Sequence, residues 1–211
     1  ATINFDVTNG TLQKRGYRSD SVEAPLSEHL AAACLDVSGW KGDVPFVDLM
    51  CGSGTFGIEA ALLASQKPAG SFRKKWGFEQ TPDFQPKLWR QVREAADAKI
   101  RSITAPIIGC DIDAAAVTAA RQNARRAGFA DAIEFRHSSF QDLQLPETPG
   151  VIFVNPPYGI RLGADIEEVA LLYNKIGDFF KQKAQGWRAF VFTGNLDLVS
   201  AIRLKPSRRH I

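Results

Sequence analysis

Short apolar runs alternate with segments of helical periodicity along most of the chain. Runs of aliphatic, β-branched and aromatic residues predict five strands. These runs span residues 44–50, 107–112, 133–135, 151–154 and 188–192. Apolar residues at helical spacing predict helices between or after them, over residues 58–65, 114–127, 169–184 and 196–202. Strands that alternate with helices in this way predict a parallel α/β sheet.

Three segments lie outside this alternation. Residues 1–10 alternate apolar and polar positions up to Asn9-Gly10, which predicts a strand that ends in a turn. Ala24-Pro25-Leu26 predicts the start of a helix, because proline is tolerated in a first turn. Apolar positions at helical spacing within residues 66–106 predict a helical insertion packed on the sheet.

Length and composition indicate one domain. The chain has 211 residues, and 45% of them are hydrophobic, which is enough to bury a single core. We therefore predict one domain over residues 1–211, with a lead-in over 1–40 and a core over 41–211 that contains the insertion.

Charge and cysteine content restrict the class of protein. The net charge of +3 permits nucleic acid as a partner without requiring it. Three cysteines without metal-site or disulfide spacing predict a reduced, cytoplasmic protein that holds no metal. No apolar run reaches membrane-spanning length and no signal-peptide pattern is present, so no membrane partner is expected.

Residues 155–158, Asn-Pro-Pro-Tyr, directly follow the predicted strand 151–154. Each proline holds the residue before it in an extended conformation, so Asn155 is fixed at the carboxyl end of a buried strand. The Asn155 side-chain oxygen and the Pro156 carbonyl can accept both hydrogens of a planar –NH2 group. The ring of Tyr158 offers a surface on which a flat base can stack. A proline-rich turn without function is the alternative for this motif taken alone.

A glycine turn follows the predicted strand 44–50. Gly52, Gly54 and Gly57 fit the pattern G-x-G-x-x-G between a strand and a helix, which predicts a nucleotide-type cofactor site. A dinucleotide is disfavoured because no acidic residue ends a second strand about 20 residues later, and because Asp48 would repel a pyrophosphate. Asp48 can instead pair with an ammonium group, so S-adenosylmethionine fits better than NAD. The candidate cofactor contacts here are Asp48, Cys51, Gly52, Ser53, Gly54 and Thr55.

Asp111 lies at the end of the predicted strand 107–112. A carboxylate at this position can accept hydrogen bonds from both hydroxyls of a ribose. Asp113 is predicted to cap the helix that follows. The glycine turn, Asp111 and Asn155 all belong to the carboxyl ends of strands, so they can meet in one crevice.

A basic segment near the amino terminus is the candidate nucleic-acid contact. Lys14, Arg15 and Arg18 surround Tyr17. A solvated loop and a phosphate-facing segment with Tyr17 available for stacking are both open for this segment. The basic tail over residues 203–210 is either a frayed terminus or a further contact with a phosphate backbone.

Together these motifs resemble, in order, the catalytic domain of the bacterial 23S rRNA guanine-N2-methyltransferases, a family often labelled N6-adenine-specific DNA methylases. The segments that carry the resemblance are 14–18, 24–26, 48–55, 109–113 and 155–163. The resemblance spans nearly the whole chain. It implies a class I methyltransferase fold, which is Rossmann-like with a mostly parallel seven-stranded sheet and helices on both faces. It also implies S-adenosylmethionine as the methyl donor and a guanine amino group in rRNA as the acceptor.

The resemblance implies further site residues and shows two departures. Ile112, Asn155 and Pro157 would join the cofactor or catalytic contacts, and Arg161 would join the RNA contacts. Many relatives carry an acidic residue for the adenine amino group after the third strand; Ser139 stands there in this chain, with Asp142 or a backbone group as the substitute. The other cofactor and catalytic contacts that the resemblance implies are the residues already named in the glycine turn, at Asp111 and in the Asn-Pro-Pro-Tyr motif. The family's RNA-binding THUMP domain and closing β-hairpin are also missing, which predicts an excised or truncated catalytic domain.

Three rival functions remain open at this point. The same Asn-Pro-Pro-Tyr motif serves methylation of adenine N6 in DNA or RNA, and of glutamine amides in release factors. A non-catalytic nucleic-acid-binding module is the alternative from a different class. Binding of S-adenosylmethionine distinguishes this module from the enzymes.

Overall fold

The computed structural model describes residues 2, 5–18, 26–157 and 166–209. Within these ranges the chain forms five strands, five α-helices and four short 3-10 helices. The strands are β1 (Phe46–Asp48), β2 (Ile107–Asp111), β3 (Glu134–His137), β4 (Val151–Val154) and β5 (Arg188–Val191). The α-helices are α1 (Glu28–Ser38), α2 (Thr55–Ser65), α3 (Pro86–Asp97), α4 (Ala114–Ala127) and α5 (Ile166–Lys183). The 3-10 helices are Ala69–Phe72, Gly77–Gln80, Phe140–Asp142 and Asp197–Ile202.

The five strands form one sheet in the order β3-β2-β1-β4-β5. Every neighbouring pair is parallel, which confirms the predicted α/β sheet. The chain adds strands to one side of β1 and then returns to add β4 and β5 on the other side. Such a reversal opens a crevice at the carboxyl ends of the two central strands, where doubly wound proteins bind ligands. The five strands within the described residues agree with a Rossmann-like sheet.

Helices cover both faces of the sheet. Because side chains alternate along a strand, Phe46 and Phe153 join the core beneath α1, α2 and α4, while Val47 and Ile152 join the core beneath α5. The Asp197–Ile202 helix completes this second core through Leu198 and Ile202. No helix in the described part of the chain is both long and apolar enough to cross a membrane.

Gly177 allows α5 to pack closely against the 3-10 helix that ends at Ile202. A Cβ atom at position 177 would overlap the Ile202 carbonyl oxygen. Alanine normally stabilises a helix interior by about 1 kcal/mol relative to glycine, but overpacking costs about 1–3 kcal/mol. We therefore expect Gly177→Ala to lower the free energy of unfolding measured with urea. Gly57→Ala is the matched control, because its Cβ would meet the nearest atom at 3.4 Å. An equal loss in both variants would contradict this account.

Helix α3 packs on other residues of the insertion, which corrects the prediction that this helix packs on the sheet, whereas Phe72 and Ile103 of the insertion pack against the core. No residue of α3 is buried. Trp89 of this helix contacts Trp76 and Phe78 with ring centroids 6.1 and 4.9 Å apart. Leu88 and Val92, which set the helical spacing in the sequence, are 52% and 50% exposed. The periodicity therefore identified a helix correctly and its packing partner wrongly.

The predicted strand over residues 1–10 is also wrong for the residues that the structure describes there. Residues 7–10 form bends, and residues 5 and 6 have no regular secondary structure. The Asp6 carboxylate accepts hydrogen bonds from the Thr8 amide at 2.8 Å and the Gly10 amide at 3.1 Å, which closes a local turn. The Val7 carbonyl accepts from the Phe78 amide at 2.9 Å, so this segment lies against the insertion.

Candidate active site at the carboxyl edge of the sheet

The register of the three central strands aligns the main candidate residues. Asp48, the last residue of β1, pairs with Gly109 on β2 and Phe153 on β4. Asp111 lies two residues after Gly109, and Asn155 lies two residues after Phe153. Because side chains two residues apart face the same side of a sheet, Asp48, Asp111 and Asn155 belong to one face. Neighbouring strands are about 4.8 Å apart, so the three positions span about 10 Å along the edge.

The glycine turn leaves this edge open. Gly52 has a φ of 49°, in the left-handed region, and a Cβ atom there would meet nothing within 4 Å. Gly54 has a φ of 82°, and a Cβ there would meet Phe135 at 2.8 Å and Ala120 at 3.0 Å. Gly54 is therefore needed for packing, whereas Gly52 borders open space into which a ligand can approach the backbone.

Asp111 connects β2 to the glycine turn. One carboxylate oxygen accepts from the Gly52 amide at 2.8 Å, and the other accepts from the Asp113 amide at 3.0 Å. Each carboxylate oxygen can accept more than one hydrogen bond, so these contacts leave capacity for ligand hydroxyls. Asp113 in turn accepts from the Ala115 amide at 2.8 Å, which confirms its predicted role as the cap of α4.

Asp48 is a buried carboxylate at the centre of the edge, with 1% of its surface exposed. Burial raises its pKa to about 7, and the charge of Asp111 acts in the same direction, while the Met50 amide opposes the shift. No cation of the described residues pairs with it. The site therefore contains a carboxylate whose ionised form would gain from a cationic ligand.

The two cysteines beside Asp48 are not reactive thiolates. Burial raises the pKa of the Cys51 thiol, and the charges of Asp48 and Asp111 add to the shift. The same causes raise the pKa of Cys110 to about 12. Both therefore remain neutral thiols near pH 7 and contribute volume instead of nucleophilic chemistry.

Ser53 lies within the glycine turn and is 5% exposed. Its buried hydroxyl has no hydrogen-bond partner within the described ranges, so a polar ligand group can satisfy it. Its carbonyl accepts from the fully buried Asn123 side chain at 3.1 Å. Sequence reasoning missed Asn123, although a polar residue within an alanine-rich helix is a usable signal.

The basic segment near the amino terminus packs into the protein. Tyr17 is 1% exposed and donates a hydrogen bond to the Glu59 carboxylate at 3.1 Å. Arg15 pairs with the same carboxylate at 3.4 Å. Both faces of the Tyr17 ring are therefore enclosed, and the predicted stacking of a base on Tyr17 is wrong. Lys14 is exposed and remains a candidate RNA contact.

Arg18 connects the basic segment to the glycine turn. Its guanidinium donates to the Thr55 hydroxyl at 2.5 Å and to the Leu26 carbonyl at 2.6 Å. It also lies 3.9 Å from the Glu28 carboxylate. Arg15 and Arg18 thus use their charges within the fold, and this arrangement favours a positioning role over a direct phosphate contact.

The third strand brings a small polar group to the edge. The Ser138 amide donates to the Asp111 carbonyl at 3.0 Å, so Ser139 follows directly beside Asp111. The Ser139 hydroxyl accepts from the Gln141 amide at 3.2 Å, and Asp142 is exposed. Ile112 is 76% exposed, which leaves an apolar side chain open next to Asp111.

The Asn-Pro-Pro motif begins where the sequence predicts it. Asn155 is half-buried, Pro156 is buried and Pro157 is exposed. Tyr158 and Arg161 lie outside the described residues, so their predicted roles stay predictions.

A cavity of about 500 Å³ lies at the other end of α2. Its two cationic side chains donate hydrogen bonds to carbonyl groups in the last turns of helices. Lys67 donates to the Ala127 carbonyl of α4 at 3.0 Å, and Arg101 donates to the Ala64 carbonyl of α2 at 2.9 Å. These cations therefore serve the fold, and the candidate site remains the edge that contains Asp48.

Comparison with known proteins shows a close family relationship. A family model described as an RMKL-like methyltransferase domain matches residues 15–211. A Synechocystis protein named provisionally as an RNA methyltransferase is 39% identical, over 98% of this chain and 54% of its own length. The ribosomal RNA large subunit methyltransferase K/L of Vibrio campbellii is 38% identical, over 99% of this chain and 30% of its own length. The chain therefore spans about half, or less, of these curated relatives.

Solved structures agree with this relationship. SMU.472, described provisionally as a methyltransferase and crystallised with SAH, has a TM-score of 0.89 and 38% identity, covering 96% of this chain and 52% of that one. A Listeria monocytogenes protein described provisionally as an N6-adenine-specific DNA methylase has a TM-score of 0.86 and 34% identity, covering 96% and 53%. The resemblance carried by the sequence motifs is thus confirmed. On the family model and these identities, the chain belongs to the family of RMKL-like methyltransferase domains.

Proposed function

We propose that this chain is the catalytic domain of an S-adenosylmethionine-dependent methyltransferase that modifies an exocyclic amino group of a base in RNA, with guanine N2 of 23S rRNA as the favoured target. One observation carries the proposal. Asp48 and Asp111 end adjacent strands and Asn155 directly follows a third, so all three lie at one edge and on one face of the sheet. The names of the Vibrio and Synechocystis relatives support RNA as the substrate.

The residues of the edge fit S-adenosylmethionine, which supplies a methyl group activated by a positively charged sulfur. Asp48 is assigned to its ammonium group, because this buried carboxylate gains from a cation. Asp111 is assigned to the ribose hydroxyls, and the exposed side chain of Ile112 to the adenine ring. The open space at Gly52 and the unpartnered Ser53 hydroxyl suit a ligand held against the turn.

Asn155 and Pro156 are assigned to the acceptor. The Asn155 side-chain oxygen and the Pro156 carbonyl accept the two hydrogens of the target –NH2 group and hold its nitrogen toward the methyl carbon. The nitrogen forms a bond to that carbon as the sulfur–carbon bond breaks, and then releases one proton to water. The two acceptor oxygens also stabilise the positive charge that develops on the nitrogen.

Asp111→Ala should weaken the binding of S-adenosylmethionine by about 10- to 100-fold. The variant loses the proposed interaction with the ribose hydroxyls, taken as worth about 1.5–3 kcal/mol in total, the value of one hydrogen bond to a charged group, and it also loses the acceptor that holds the Gly52 amide. Isothermal titration calorimetry measures this change. Asp111→Asn keeps one acceptor oxygen and should bind with intermediate affinity. Unchanged affinity in the alanine variant would place the ribose contact elsewhere.

A labelling experiment with full-length protein identifies the target base. Labelled S-adenosylmethionine is incubated with rRNA from a strain that lacks the gene, and the digest is analysed for modified nucleosides. Label in N2-methylguanosine supports the proposal, and label in N6-methyladenosine replaces guanine by adenine. Absence of label in RNA, with label in DNA or protein, overturns RNA as the substrate class. Since the chain spans about half of its relatives, a further RNA-binding domain of the THUMP type in the full-length protein is part of the proposal.

A further inference from the structure

The loop that follows β5 (residues 192–197, hereafter the β5 loop) borders the Asn155 turn. The Phe192 amide donates to the Val154 carbonyl at 2.9 Å, so the segments that follow β4 and β5 leave the sheet side by side. In the strand order β3-β2-β1-β4-β5, β5 lies on the side of Asn155 opposite to Asp48 and Asp111. The β5 loop is therefore next to the proposed acceptor site and away from the proposed cofactor site.

A chain of hydrogen bonds fixes the β5 loop to α5. The Tyr173 hydroxyl lies 2.7 Å from the Thr193 hydroxyl, which in turn accepts from the Asn195 amide at 3.1 Å. The Asn195 side-chain oxygen accepts from the Asp197 amide at 3.1 Å, at the start of the last 3-10 helix. Tyr173 is fully buried, whereas Thr193 is half-buried. One hydroxyl anchored in the core thus holds a loop that reaches the surface.

The geometry of methyl transfer places the acceptor base near this loop. Sulfur, methyl carbon and attacking nitrogen lie roughly in line, and the nitrogen–ring bond is oblique to that line, so the ring occupies the side of the nitrogen remote from the donor. With the donor over β1 and β2 and the amino group at Asn155, directly after β4, the side toward β5 is the one left for the ring. Gly194 is exposed and has no side chain, which allows a flat ring to approach the loop backbone.

We propose that Tyr173 is a positioning residue for the acceptor, because its hydroxyl holds Thr193 and with it the β5 loop as the acceptor-side wall of the active site. This inference rests on the proposed function. It assigns Tyr173 no contact with the substrate and no part in binding the cofactor.

Tyr173→Phe tests the inference in the full-length protein, because it keeps the buried ring and removes only the hydroxyl. We expect kcat/KM for RNA to fall about tenfold, the effect of one hydrogen bond, with the Kd for S-adenosylmethionine within about twofold of the parent. Thr193→Val, which also loses the acceptor of the Asn195 amide, should lose at least as much activity, and Thr193→Ser, which keeps the hydroxyl, should retain the parental kcat/KM. Because the Tyr173 hydroxyl acts on the loop through Thr193, the Tyr173→Phe/Thr193→Val double variant should be no less active than Thr193→Val alone.

Ser65→Ala is the control, since it removes a buried hydroxyl at the far end of α2, where Ser65 donates to the Ala61 carbonyl at 2.7 Å. It should change stability without changing kcat/KM for RNA. Parental kcat/KM in both Tyr173→Phe and Thr193→Val, or an equal loss of cofactor affinity, overturns the inference while leaving the proposed function intact. A parent protein that transfers no methyl group to RNA overturns the proposed function and the inference with it.

Discussion

Asn155→Ala should reduce the rate of methyl transfer by about 10²–10³-fold while S-adenosylmethionine binds with parental affinity. The expected size follows from removing one preorganised hydrogen-bond partner of a transition state, which costs about 3–4 kcal/mol. The alanine side chain cannot accept a hydrogen from the target amine, so the nitrogen loses its orientation toward the methyl carbon. Single-turnover rates with saturating RNA and donor measure the chemical step directly.

Gln91→Ala is the control for this variant. Gln91 is exposed on α3, within the insertion, and its replacement also removes a side-chain amide. We expect its transfer rate to stay within about twofold of the parent, as for a substitution with no part in the transition state. If Asn155→Ala retains the parental rate, Asn155 does not hold the amine. If it loses cofactor affinity by the same factor as rate, Asn155 acts on the cofactor instead.

Local signals in the sequence predicted the parts of the fold that position the candidate site. The strand 151–154 and the helix 114–127 have the predicted bounds in the structure. Each is delimited by residues with strong backbone preferences: Pro156 after the strand, and Asp113 and Gly128 at the ends of the helix. The parallel order followed from the alternation of elements, and the shared edge followed from the parallel order.

Contacts between distant segments could not be predicted in the same way. Tyr17 looked available for stacking because its neighbours are cations, but its partner Glu59 is 42 residues away. Burial raises the pKa of Glu59, and Arg15 opposes this shift. The sequence gives no sign that these three side chains meet. A cationic segment therefore predicted an RNA contact where the structure shows a buried ionic cluster between the lead-in and α2.

The same limit applies to α3. Its apolar spacing is real, but amphipathic spacing alone does not say which surface a helix will cover. Trp89 packs on Trp76 and Phe78, which belong to the same insertion. The register of the strands could not be predicted from the sequence either. Asp48 pairs with Gly109 and Phe153, which are 61 and 105 residues away along the chain. Only the structure shows that this pairing places Asp111 and Asn155 on one face of the sheet.

Asp48→Asn should stabilise the ligand-free protein above neutral pH by about 4 kcal/mol. Burial raises the pKa of Asp48 to about 7 from its ordinary 3.8, so the folded protein holds this proton more tightly than the unfolded chain does. The resulting stability is fully present below the unfolded pKa and is lost as the pH rises through the folded pKa. At about 1.4 kcal/mol per pKa unit, the loss amounts to about 4 kcal/mol in the parent, and asparagine, which does not ionise, avoids it.

Urea unfolding from pH 4 to pH 8 measures this difference. The stability of Asp48→Asn relative to the parent should rise by about 1.4 kcal/mol per pH unit up to pH 7 and then level off. A difference that does not change with pH would show that the Asp48 carboxylate is well solvated. S-adenosylmethionine supplies an ammonium group, so it should stabilise the parent more than the variant at pH 8. Its affinity for the parent should weaken about tenfold per pH unit below 7, because binding to ionised Asp48 then requires release of the proton. The buried carboxylate thus destabilises the empty domain at neutral pH, and the proposed ligand is the partner that offsets this cost.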